Sequence, residues 1–255
     1  MKKSQILKKL TLGLAWAIWT AGVLFLVQLL LSSILSWLFH ILPIQISSAA
    51  AQTVFSILSY GLSIFIIFKI PEKFNKKYRS SKSELGLNEL PTWTDIGLAP
   101  VGLVVYAILA YVLTSIFSVF PWFNASEAQD VGFNTLLLAS DRVFAFVTLV
   151  IIAPVAEELI FRGFLYQKIK TLFCSSKTAK KAETTAIIIA TFITSIAFGV
   201  MHGQWNVGVN VFAMSIVLCL LREITGSIYA GILMHMIKNM IAFYLLYIAT
   251  IGFWW

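Results

Sequence analysis

The chain has 255 residues, of which 59% are hydrophobic and only 12% charged. A soluble domain carries about 25% charged residues, so the composition excludes an ordinary soluble globule and points to a polytopic integral membrane protein. The net charge of +8 is gathered in clusters that read as topology markers, and nothing in it argues for nucleic acid.

In chain order, Lys2, Lys3, Lys8 and Lys9 precede the first apolar run, residues 10–42. That run far exceeds a signal-peptide core of about 7–15 residues, although Ala49-Ala50-Ala51 imitates a cleavage site. No Asp, Glu, Lys or Arg occurs between Lys9 and Lys69. At about 20 residues per span, this interval holds two helices and a turn around Pro43. Further apolar runs cover residues 47–68, 96–120, 143–166, 185–200, 207–221, 227–240 and 241–255. Lipid cannot satisfy a bare backbone, so these runs are expected to be helical. The last two are short and nearly continuous. The expected fold is therefore an all-α transmembrane bundle of seven or eight helices, with residues 74–91 as a polar connection. Trp37, Trp93, Trp122, Trp254 and Trp255 fit interfacial belts.

A second basic cluster comprises Lys69, Lys73, Lys76, Lys77, Arg79 and Lys82, and a third Lys168, Lys170, Lys177, Lys180 and Lys181. Residues 121–141 instead carry Glu127, Asp130 and Asp141 before any Lys or Arg. The positive-inside rule then predicts a cytoplasmic N-terminus and an outward-facing 121–141 segment. The clusters also suit attraction to anionic membrane lipid. Cys174 and Cys219 form no metal-type spacing and are not expected to pair. The glycosylation-type triplet Asn124-Ala125-Ser126 carries little weight. Residues 10–68 contain one His and no charge, whereas residues 143–240 hold the ionisable groups that call for an explanation. Within one transmembrane domain, 1–139 reads as scaffold helices and 140–240 as the working core.

Glu157, Glu158 and Arg162 lie inside the membrane-length run 143–166. A carboxylate at the centre of a spanning helix costs about 2.5–3.5 kcal/mol on insertion scales. At about 100° per residue, the adjacent glutamates point to different faces. Glu158 and Arg162 form an i,i+4 pair in the favourable order. Arg162 can thus hold Glu158 ionised and leave Glu157 as the freer carboxylate, which burial would tune toward general-base work. A purely structural ion-pair cluster is the alternative.

His40 reads as interfacial. His202 follows Phe198 by one turn at the end of its run, and His235 precedes Asn239 by one turn. Singly, such side chains serve helix–helix hydrogen bonding in membranes. Together they allow a water between Glu157 and His202 to be deprotonated and aimed at a carbonyl, with His235 and Asn239 stabilising the oxyanion. Zinc is the rival use: Glu157, His202 and His235 make a plausible ligand set with one position left for water. Against it, the HExxH pattern is absent, and Asn239 and Arg162 would have no natural part. Ser195 is less well supported as a nucleophile, and no Gly-x-Ser-x-Gly elbow occurs.

One difficulty is axial. At about 1.5 Å per residue, Glu157 lies about 16 Å from Lys168 and His202 about 27 Å beyond Thr184. The groups meet only if a helix tilts or if residues 178–185 dip into the membrane.

Glu157-Glu158-x-x-x-Arg162, Phe198-x-x-x-His202 and His235-x-x-x-Asn239 resemble the three motifs of the CPBP (Abi) family. This family of CAAX-protease and bacteriocin-processing membrane proteins includes the type II CAAX prenyl endopeptidases. Phe161-Arg162-Gly163 and residues 221–228 agree as flanks, and the resemblance covers roughly residues 140–240. It implies an intramembrane endopeptidase, with its active site in a membrane-embedded cavity, acting through a glutamate-activated water. Glu157 and His202 would activate the water, His235 and Asn239 would form the oxyanion hole, and Glu158 and Arg162 would organise the site. No cofactor is implied on this reading, although zinc metalloprotease is a second label used for the family.

The implied partner is a hydrophobic or lipid-modified peptide or membrane-protein substrate in a bacterial cell membrane, within peptide maturation, bacteriocin immunity or regulation. A non-enzymatic scaffold or immunity protein binding a membrane partner is the alternative. A small transporter would place polar groups in both halves and often show an inverted repeat, which the uncharged first half argues against.

Overall fold

In the computed structural model, residues 3–42, 46–87, 89–127, 132–133, 136, 138–174 and 180–249 are described. Pro43, Asp130, Lys177, Trp254 and Trp255, which entered the sequence reading, lie outside them. Among the described residues, seven helices are long and apolar enough to cross a membrane, and the chain is an integral membrane protein. They are α1 (Lys3–Ile41), α2 (Ser48–Phe74), α3 (Trp93–Phe117), α4 (Ala139–Phe173), α5 (Lys180–Val200), α6 (Trp205–Thr225) and α7 (Tyr229–Tyr247). The runs 227–240 and 241–255, read as separable, join in α7, so the described count is seven.

Described members of the three basic clusters meet at one end of the bundle. There Lys9 Nζ stands 5.8 Å above the Phe173 ring, and Lys168 Nζ donates to the Arg79 carbonyl at 3.3 Å. Between α2 and α3, the one-turn helix Lys82–Leu85 carries a Ser81/Glu84 capping box and ends at Gly86, which has φ 74°. The turn docks on the α6–α7 corner, where Arg222 donates to the Glu84 carbonyl and Ile228 N–H to that of Gly86. A Cβ on Gly86 would stand 2.9 Å from Arg222 Cζ, so the position excludes a side chain on two counts. Asp95 accepts from Thr92 in a second capping box and from Ser227 Oγ at 2.5 Å, tying α3 to the same corner. At the opposite end Asn206 donates to the Glu127 carbonyl, and Tyr247 to that of Phe133.

α6 is the most enclosed span, with α3 and α5 packed on it and α7 beside it. Close approach is made by small residues, as expected where lipid supplies no hydrophobic drive between helices. A Cβ on Gly199 of α5 would lie 2.9 Å from the Gly208 carbonyl oxygen of α6. α1 turns much of its surface outward, with Ile18, Phe25 and Leu30 exposed to lipid.

Helix α4 is continuous but not uniform, because π-helical segments Val147–Ile152 and Leu159–Tyr166 flank the α-helical turn Ala153–Glu158. In the first, Ala153 N–H bonds to the Thr148 carbonyl, an i→i−5 pairing. The next residue, Pro154, has no N–H to continue that register, so the Leu149 carbonyl loses its helical donor. Such bulges recur at functional sites, and here both flank the glutamates. The helix also runs through Lys168 and Lys170 to Phe173. Counted between helix ends, Glu157 is about 24 Å from Phe173 and His202 about 33 Å from Lys180, so extending α4 past Lys168 narrows the axial offset only slightly.

Candidate active site

Glu158 and Arg162, both fully buried, form the innermost element. Arg162 Nη1 donates to Glu158 Oε1 at 2.8 Å, and its guanidinium carbon lies 4.4 Å above the Phe198 ring centroid. The anticipated i,i+4 pair is therefore formed, with the Phe198 π-face replacing some of the solvation a buried arginine gives up. Phe198 belongs to the same sequence pattern as His202, so the second motif supports the first. Across from them, a Cβ on Gly231 of α7 would stand 3.0 Å from Glu158 Oε2, and this absence of a side chain makes room for the carboxylate.

His235 of α7 connects the two glutamates. Its Nδ1 lies 3.1 Å from Glu158 Oε1, and its Nε2 lies 3.9 Å from Glu157 Oε2. An ionised carboxylate only accepts, so a bond to ionised Glu158 puts a proton on Nδ1 and aims Nε2 toward Glu157.

Glu157 faces a cavity of about 200 Å³ whose wall includes Tyr60, His202, His235, Lys238 and Asn239. The Tyr60 hydroxyl donates to Glu157 Oε1 at 2.6 Å, a short charge-assisted bond from α2. His202 reaches the cavity from the α5–α6 connection, its Nδ1 2.9 Å from the Phe198 carbonyl. Burial pushes the His202 imidazole below the ordinary histidine range, against the opposing pull of the Glu157 charge. Nδ1–H on that carbonyl leaves Nε2 as the basic nitrogen. Asn239 Nδ2 donates to the Leu149 carbonyl at 2.8 Å, the group that Pro154 leaves without a helical donor. One amide hydrogen is thereby used, and the other is free of that bond.

All six residues singled out from the sequence thus gather around one cavity and its floor. Among the cavity-wall residues that did not enter the sequence reading are Tyr60 and Lys238. Tyr60 lies in the half read as scaffold, where one aromatic among many carries no distinguishing pattern. Lys238 had a signal, being a lysine between His235 and Asn239 in an otherwise apolar helix. For the zinc alternative, no group of three His, Cys, Asp or Glu side chains among the described residues is arranged to hold a metal ion.

The model of a family described as "Type II CAAX prenyl endopeptidase Rce1-like" matches residues 139–241. The membrane-embedded CAAX protease MroQ of Staphylococcus aureus (strain USA300) is 27% identical over 150 residues, 58% of this chain and 54% of that protein. The chain thus spans about half the length of the curated relative it matches. No solved structure matches. The segment 139–241, which carries the motif residues gathered at this cavity, is thus similar to the Rce1-like CAAX-protease family.

Proposed function

We propose that this protein is an intramembrane endopeptidase that hydrolyses a peptide bond by a water activated at Glu157 and His202. The observation that carries the reading is the unlike treatment of two adjacent carboxylates. Glu158 is neutralised by Arg162 in the core, while Glu157 is presented to a cavity beside two histidines.

In the proposed reaction, water gives a proton to the Glu157 carboxylate as its oxygen attacks the scissile carbonyl, with His202 Nε2 helping to orient it. The developing oxyanion receives hydrogen bonds from His235 Nε2–H and from the free amide hydrogen of Asn239. With Nδ1–H on Glu158, donation from Nε2 requires His235 to carry a proton on both ring nitrogens in the proposed step. Collapse of the tetrahedral intermediate breaks the C–N bond, and the departing amine takes the proton held at Glu157. The Tyr60 hydroxyl fixes the Glu157 rotamer throughout. Such preorganised donors act most strongly where water is otherwise excluded. No metal is assigned a step in this reading.

The substrate class proposed is a hydrophobic or lipid-modified peptide in a bacterial cell membrane, processed in peptide maturation, immunity or regulation. The relative's designation as a membrane-embedded CAAX protease supports the peptidase class. The basic clusters, whose described members meet at one end of the bundle, are proposed to face the cytoplasm along with the N-terminus. Substrate-trapping proteomics on cells expressing wild type or Glu157→Gln tests the reading. An uncleaved membrane peptide should accumulate with the variant. Full biological activity of inserted, folded Glu157→Gln and His202→Ala proteins would instead favour a scaffold or immunity partner. Metal analysis of the active purified enzyme tests the zinc alternative.

A further inference from the structure

Lys238 has no part in the reaction above, yet it is a charged side chain half-buried in a membrane span. Such a charge is costly inside a span and ordinarily marks a partner or a ligand path. Among the described residues, Lys238 makes no direct hydrogen bond or ion pair, and the nearest opposite charge acting on it is Glu157 across the shared cavity. Its position is unusual in a second way, since it lines both the Glu157 cavity and a neighbouring one of about 320 Å³. The second cavity runs from the 123–127 segment along the start of α6 to Lys238. It is polar for a space between membrane helices, with Tyr106, Asn206 and Asn210 in its wall. The Tyr106 hydroxyl bonds to Asn210 Oδ1, which orients the Asn210 amide nitrogen as a donor. Asn206 Nδ2 is held by the Glu127 carbonyl, while its buried Oδ1 has no partner.

We infer that this second cavity is the substrate-binding extension of the active site, and that Lys238 recognises a substrate carboxylate close to the scissile bond. The inference rests on the endopeptidase reading and assigns a specificity to that same site. The lining suits a peptide: an unsatisfied amide oxygen accepts a backbone N–H, an oriented amide nitrogen donates to a carbonyl, and the ammonium takes the single negative charge. Glu127 in the wall opposes a dianion such as a phosphate monoester. The carboxylate comes either from a chain terminus or from an Asp or Glu side chain, since the ammonium contacts the same group in each.

The test uses the full-length enzyme in nanodiscs and two peptide libraries derived from membrane proteins, one with free and one with amidated C-termini. Cleavage is read by mass spectrometry for wild type, Glu157→Gln, Lys238→Met and Lys238→Arg. Wild type should cleave carboxylate-bearing peptides about ten- to hundredfold better than their neutral counterparts, as a charge-assisted bond implies. Lys238→Met should collapse that ratio toward one, and Lys238→Arg should retain it. Loss of the preference on C-terminal amidation assigns the terminus, and its persistence with dependence on Asp or Glu assigns the side chain. An equal wild-type rate on charged and neutral peptides overturns the inference, as does a Lys238→Met enzyme that is slower on every peptide with an unchanged ratio. Cleavage by wild type no greater than by Glu157→Gln would fail the endopeptidase reading itself.

Discussion

Replacing Arg162 by Met keeps most of the side-chain volume and removes the charge that neutralises Glu158. Both residues are fully buried and joined at 2.8 Å. The variant leaves a carboxylate in a membrane interior with His235 Nδ1 as its remaining partner and Oε2 without one. Breaking a buried pair from one side costs about 3–5 kcal/mol, and loss of the guanidinium over Phe198 removes a desolvated cation–π contact worth about 2 kcal/mol of that. Removing both charges is different, because a neutral pair of similar volume leaves no stranded ion. The Glu158→Gln/Arg162→Met protein should therefore regain most of the loss, giving a coupling of about 2–3 kcal/mol. Tryptophan-monitored unfolding in mixed micelles with increasing SDS measures all four corners of the cycle. Activity should not follow stability, because the double variant still lacks the carboxylate that charges and orients His235. An Arg162→Met protein within about 1 kcal/mol of wild type, or two single effects that simply add, would refute this account of the inner pair.

Tyr60→Phe removes one charge-assisted bond to Glu157 and should lower kcat/KM by about tenfold or more with little change in thermal unfolding, read by parallel kinetics and melting. In the pH profile of kcat/KM, protonation of His202 removes activity as pH falls; because burial depresses its pKa, that acid limb should lie below the ordinary histidine range, and its loss or displacement in His202→Gln identifies it. For topology, Ala125→Cys, in a protein lacking Cys174 and Cys219, should react with an impermeant maleimide in intact cells, and Ser81→Cys only after the membrane is opened.

The seven spans were legible because each combines length with a near-absence of charge, which only a helix crossing lipid requires. The join in α7 was not, since Met240 and Ile241 carry no signal that distinguishes a continuing helix from a turn. Glu158 and Arg162 were readable as a pair because their spacing alone sets them on one helical face. The i→i−5 register of α4 leaves no such trace, although Pro154 locates the carbonyl it strands. What Asn239 does with one of its hydrogens follows from that proline, 85 residues away in sequence. Tyr60 was invisible for a related reason: its meaning comes from the side chain opposite it, and no local pattern announces a contact between α2 and α4.

The two carboxylates are better treated as one ionic unit than as a base and an anchor. Helical geometry turns them apart, and each is met by a different group: Arg162 for Glu158, and Tyr60 for Glu157. A single imidazole then joins them, with Nδ1 on one and Nε2 facing the other. Any change in the proton count at Glu157 therefore alters the field at His235, and through it at Glu158. When water gives its proton to Glu157, the negative charge there is lost while an oxyanion appears beside the imidazolium. The positive charge on His235 thus keeps a counterion throughout the proposed step, first Glu157 and then the intermediate. A Glu158→Gln substitution should therefore lower kcat by misplacing His235, with KM little changed, although Glu158 touches neither water nor substrate.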